Sequence, residues 1–116
     1  MLQKEWPPRL QALLRMIQNK LKHIVKTYGQ SPLQMMEHSQ AQHLLDQLVE
    51  LSEVLALLMA HEHADVRKSV VFCLVEIHCV VMDDQIFSEG FLAKLNQSQQ
   101  KLVDIYVQRK KAIDQQ

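Results

Sequence analysis

A chain of 116 residues is near the commonest size of one domain, so a single continuous core over residues 1–116 is expected. Apolar residues make up 47% of it against 2 Gly and 3 Pro, which favours long helices and disfavours short strands parted by turn residues. The 13 basic and 13 acidic residues cancel to a net charge of +0, so the overall basic field that suits nucleic acid or anionic lipid is missing, and no apolar run is long enough to span a bilayer.

In chain order, the segment Met1 to Pro8 lacks the apolar core of a signal peptide. A first helix is expected to open at Pro7-Pro8, with Leu10, Leu13, Leu14, Ile17, Leu21, Ile24, Val25 and Tyr28 on one stripe and polar residues opposite. Gly29 supplies its stop. Ser31-Pro32 then reads as an N-cap followed by proline at the first helical position, with Gln34 completing a capping box. Ser39 with Gln42 offers a second start, so residues 32–60 are either one long helix or a short one and a long one. Leu44, Leu48, Leu51, Leu55 and Leu58, widened by Leu45, Val49 and Met59, form an apolar stripe from which Gln47, Glu50 and Glu53 are excluded. This amphipathic helix suits an outer layer.

His61-Glu62-His63 makes the turn into the next helix, where His63 takes the cap position and Asp65 places a negative charge in the first turn. Val66, Val70, Cys73, Leu74, Ile77 and Val81 follow helical spacing, while Val71, Phe72, Val75 and Val80 fill the other side. A helix apolar nearly all round must be covered from both sides, which is the situation of an inner-layer helix in a helical-repeat stack. Asp83-Asp84 closes it with a polar break, Ser88 caps a short segment holding Phe91, Leu92 and Leu95, and Ser98 caps a last helix with Leu102, Val103, Ile105 and Tyr106. Residues 113–116 form a frayed tail. Residues 40–60 and 64–82 together have the length of one HEAT unit, roughly 40 to 47 residues. The expected fold is all-α, a short HEAT-repeat-like antiparallel array of five or six helices.

Several groups invite a chemical reading. His61, His63 and Asp65 carry zinc-type ligands but lack a fourth at a defined spacing, so a polar turn is preferred. Cys73 near Glu76 and His78 could suggest thiol catalysis, yet Cys73 lies on the apolar stripe, where a thiol is buried and inert. Cys73 and Cys79 are six residues apart on different helix faces, which excludes a bond between them and fits a reducing compartment such as cytosol or nucleus. Gly29 and Gly90 form no phosphate loop. No cofactor, metal or catalytic residue is therefore expected, and an enzyme is not.

Leu33, Met35 and Met36 form an apolar cluster, and Lys20, Lys22 and Lys26 with Arg109, Lys110 and Lys111 form two basic runs. Adaptable Met side chains and clustered charge are common on partner-binding surfaces, although core packing and a solvated face are the blander explanations of each. A symmetric dimer through leftover apolar surface on the first helix is a further possibility.

The block Asp65-Val66-Arg67-Lys68-Ser69-Val70-Val71-Phe72-Cys73-Leu74-Val75 resembles the Val-Arg-Lys and Val-Phe-Cys-Leu-Val signature of the CLASP microtubule-associated proteins, in the helical (HEAT or TOG-like) domain at their C-terminal end. Phe91 to Leu95 and Lys101 to Arg109 are similar to that family's closing segment, with its Leu-x-x-x-Tyr-x-x-Arg pattern, so the likeness spans about residues 44–111. It implies the C-terminal part of a larger protein that regulates microtubules at plus ends, kinetochores, spindle and cell cortex. Within it, this domain would recruit plus-end linker proteins, a kinetochore motor or cortical adaptors. Asp65, Val66, Arg67, Phe72, Cys73 and Leu74 then take structural roles, with Arg67 pairing to an acidic group or helix end next door. Trp6 matches no tubulin-contacting position, which favours adaptor docking over direct tubulin binding.

Overall fold

Helix-forming composition and the scarcity of turn residues leave little room for anything but helix. The computed structural model describes residues 2–114, with side chains from Pro8 onward. They form α1 (Leu2–Tyr28), α2 (Pro32–Met35), α3 (His38–Leu58), α4 (Ala64–Val81), α5 (Asp84–Gly90), a 3₁₀ turn (Leu92–Lys94) and α6 (Gln97–Asp114), with no strand among the described residues.

Helix α1 starts ahead of Pro7-Pro8 rather than at it, and it includes the backbone of Trp6, whose side chain lies outside the described residues. Proline's fixed φ is helical, but Pro7 and Pro8 fall in the second turn, where each lacks the N–H that would bond the carbonyl four residues earlier. The helix ends at Gly29, whose φ of +84° is left-handed and whose N–H donates to the Val25 carbonyl at 2.8 Å. Leu14 and Leu21 are buried, flanked by Leu10, Ile17, Ile24 and Val25. Leu13 and Tyr28, expected on that stripe, are 51% and 37% exposed. The covered stripe is narrower than the apolar one because α1 packs chiefly against one helix, α4.

The segment 32–60 is a short helix and a long one. Ser31 does precede Pro32, but its side chain makes no capping bond, and the Gln34 N–H is satisfied by the Ser31 carbonyl at 3.0 Å in place of the expected capping box. Nor does Ser39 cap α3. It sits inside that helix and donates to the Glu37 carboxylate at 3.0 Å. Leu48, Ser52 and Leu55 are buried along α3, and Gln47, Glu50 and Glu53 are exposed as the pattern implied.

Helix α4 is the centre of the molecule: eleven of its eighteen residues are buried, and α1, α2, α3, α5 and α6 all pack on it. Its head is tied to the preceding turn by Arg67, which donates from Nη1 to the His61 carbonyl at 2.6 Å. Its end is a left-handed Met82 (φ 53°) whose N–H donates to the His78 carbonyl at 2.8 Å. Asp83 lies in the expected break after α4 and also begins the next helix. Its carboxylate accepts from the Ile86 N–H at 2.9 Å and so caps α5, leaving Ser88, the expected cap, within that helix.

Phe87 and Phe91 stack with centroids 5.7 Å apart beneath α4. Lys94 ties the 3₁₀ turn to α3, donating to Ser52 Oγ at 2.8 Å and to the Val49 carbonyl at 3.0 Å. Before α6, the Asn96 side chain accepts from the Gln99 N–H at 2.8 Å while Gln99 accepts from the Asn96 N–H at 3.0 Å. This reciprocal pair satisfies two donors at once, and Ser98, the expected cap, stays exposed. Helix α6 runs on through Ile113 to Asp114, where Lys110 pairs with Asp114 at 3.5 Å; residues 115–116 of the expected frayed tail lie outside the described residues.

Helix directions follow from the contacts. The Cys73 thiol meets the Leu14 carbonyl at 3.2 Å, Lys22 acts on Glu76 one turn further on, and Gly29 and Met82 beyond them line the same groove, so α1 runs parallel to α4. Tyr106 packs edge-on to Phe72 at 5.7 Å, and Lys110 and Asp114 further along act on Cys79, so α6 is parallel to α4 too. One layer is therefore α1, α4 and α6 side by side. The chain returns through α3 and through α5 with its 3₁₀ turn, so successive long segments reverse, as in the helical array expected. The described residues measure 46 × 28 × 25 Å, the long axis reflecting a 27-residue α1 of about 40 Å at ~1.5 Å per residue.

Candidate interaction groove

Lys22 and Lys26 are one helical turn apart and share a face of α1; Lys110 and Lys111 stand near the end of α6. Because both helices run parallel to α4 and flank it, these residues from distant parts of the chain reach the two rims of one groove of about 930 Å³. Val25, Val75, Cys79, Met82 and Val107 supply apolar floor and walls, while Gly29, Gln30 and Ser31 close one end.

In that floor sits Glu76, 6% exposed, with no hydrogen bond or ion pair to another described residue. Burial raises its pKa above the ordinary carboxylate value; Lys22 and then Lys110 oppose the rise, and Asp114 adds to it. Beside it, burial and the charge of Glu76 push the half-buried Cys79 thiol up to about 11. Cys73 is held at about 12, first by burial and then by Glu76, and its thiol donates to the Leu14 carbonyl. Neither thiol is a nucleophile at neutral pH.

A smaller cavity of about 280 Å³, which shares His78 and Val107 with the groove, lies among His78, Asp84, Phe87, Ser88, Leu92 and Asp104. His78 Nε2 is 2.8 Å from Asp84 Oδ1 and its ring meets Phe87 edge-on at 4.9 Å. The hydrogen bonds from His78 and Lys111 hold the Asp84 carboxyl below its usual value. His78 is thus engaged with Asp84 while Cys73 faces α1, and the imagined thiol constellation is not assembled.

Of the basic residues singled out in the sequence, Lys22, Lys26, Lys110 and Lys111 converge on the groove. Lys20 is exposed away from it, and the Arg109 guanidinium lies over the Tyr106 ring at 5.2 Å. Leu33 packs against the core, Met36 is half-buried and Met35 is 68% exposed, all outside the groove. Val66, Cys73 and Leu74 are core, Phe72 is half-buried beneath Lys68, and Asp65 is exposed. His61 Nδ1 accepts the His63 N–H at 3.0 Å, so that pair is used in shaping the turn; no cluster of three or more metal-ligating side chains exists among the described residues. Sequence reasoning weighed Glu76 only beside Cys73, not as part of a groove, and missed Met82. Glu76 carried a signal, being a lone carboxylate inside an otherwise apolar helical run.

The class these features define is an all-α helical array with an open groove, and no helix among the described residues is long and apolar enough to cross a membrane. No protein-family model, characterised protein or solved structure matches the chain.

Proposed function

We propose that this chain is a non-enzymatic docking module whose groove between α1, α4 and α6 receives a segment of a partner protein. The observation that carries this reading is the convergence of Lys22 and Lys26 with Lys110 and Lys111 over an apolar floor. An apolar centre with a charged rim is the anatomy of a protein interface. The likeness of Asp65 to Val75 and of Lys101 to Arg109 to the CLASP family supports placing the module in a microtubule regulator, recruiting plus-end linker proteins, a kinetochore motor or cortical adaptors at the spindle and microtubule ends. The test is capture from dividing-cell extract by the whole chain, beside purified tubulin alone. Recovery of such adaptors, lost in a Lys22→Glu/Lys110→Glu variant, supports the reading; stoichiometric tubulin binding without adaptors overturns it.

A second reading rests on Leu13 and Met16, 51% and 56% exposed one turn apart on α1, which would suit pairing of two chains through that helix. A monomer by light scattering at micromolar concentration removes it.

A further inference from the structure

The chain is neutral, yet its charges are separated by layer. Ten of the thirteen basic residues lie on α1 and α6, which carry three acidic residues between them. Helices α3 and α5 hold five acidic residues and no Lys or Arg. The groove opens on the basic layer. Resting on the docking reading above, we infer that the partner segment is an acidic amphipathic helix, its carboxylates meeting the lysine rims and its aliphatic residues covering Val75, Cys79 and Met82.

Two lysine pairs on opposite rims, of which Lys110 and Lys111 also pair with the exposed Asp114 and Asp84, have aliphatic and thioether side chains between them and match a helix that carries charge on its flanks and hydrocarbon on its face. A nucleic acid strand fits poorly, because its run of phosphates would pass over the buried carboxylate of Glu76 and beside Asp114. Glu76 makes no hydrogen bond or ion pair to another described residue, and only the charges of Lys22 and Lys110 offset its burial, so the residue of the docked helix above it is expected to be a donor, a Lys, Arg or hydroxyl, and not a third carboxylate. A second copy of this chain would have to offer the acidic α3, where Val54 and Leu57 are exposed, and that occupant is an outcome of the test.

The experiment titrates the whole chain into two fluorescent helical peptides of about 18 residues, identical in their Leu face but carrying either Glu or Lys on the flanks. The Glu peptide is expected to bind and to weaken about tenfold when salt rises from about 50 to about 300 mM, while the Lys peptide does not bind. Lys22→Glu/Lys110→Glu should lose about tenfold or more in affinity, with Lys22→Gln/Lys110→Gln as the milder variant if circular dichroism shows the first to be unfolded. Glu50→Lys/Glu53→Lys on α3 should change nothing. Equal binding of both peptides, tighter binding of a single-stranded RNA of similar length, or self-association that the α3 variant abolishes would each overturn the inference. If neither peptide binds while adaptor capture still depends on Lys22 and Lys110, docking stands and the acidic helix falls.

Discussion

Two leucines of α3 offer a matched test of how that helix is seated. Leu55 is 0% exposed and Leu57 is 77% exposed, although they have the same side chain, lie two residues apart and share a helix. Leu→Ala at a buried site removes burial and leaves a cavity, a loss of ~2–5 kcal/mol, so about 3 kcal/mol is expected for Leu55→Ala. At ~2.1 cal/mol/K per residue the unfolding entropy of this chain is about 0.24 kcal/mol/K, and the melting temperature should fall by about 12 °C. Leu57→Ala should stay within about 0.5 kcal/mol, or ~2 °C. Thermal unfolding followed by circular dichroism, with urea titration alongside, reads both values. Equal losses, or a larger one at Leu57, would refute the packing of α3 on α4 described above.

Three further outcomes are expected. Met82→Gly should raise stability by about 0.5 kcal/mol, since a left-handed non-glycine residue costs ~1–2 kcal/mol and the added chain entropy of glycine returns ~0.5–1 of it; a lower melting point would show that the half-exposed Met82 side chain matters more than its backbone. Asn96→Ala should cost ~1 kcal/mol by breaking the reciprocal cap with Gln99, whereas Ser98→Ala should be silent, a contrast visible in denaturant midpoints. Glu76 should make stability fall as pH rises: between its ordinary value of 4.5 and its raised folded value, the native chain holds a proton that the unfolded chain has released. Glu76→Gln should flatten melting temperature against pH across that interval, and an unchanged slope would mean the carboxylate is better solvated than its burial implies.

The central position of α4 was legible because apolar residues on all sides of a helix admit one explanation, cover on all sides. The stop at Gly29 was legible for a similar reason, since a left-handed residue favours glycine. Caps were read less well. Asp83, Ser88, Asn96 and Ser98 are all competent residues within short distances of each other, and the choice among them depends on which N–H groups the chain presents once Phe87, Phe91 and Leu95 are buried. The Asn96-x-x-Gln99 spacing could have been preferred over Ser98, because it satisfies two donors instead of one. Periodicity also overstated the covered face of α1, where Leu13 belongs to the apolar stripe but lies beyond the reach of α4. Sequence gave the two basic runs as separate features. Their meeting over Glu76 depends on α1 and α6 flanking α4 in the same direction, and that is a property of chain path, not of any local pattern.

The shared direction of α1, α4 and α6 gives the groove a polarity. Each helix carries about half a negative charge at its C-terminal end, and here three such ends, near Tyr28, Val81 and Asp114, gather at one end of the molecule. Lys26 and Lys111 in the last turns answer part of that charge. A helix seated in the groove brings a macrodipole of its own, and the favourable arrangement sets its positive N-terminus against those three ends. It should therefore lie antiparallel to α4, entering head first beside Gly29 and Met82.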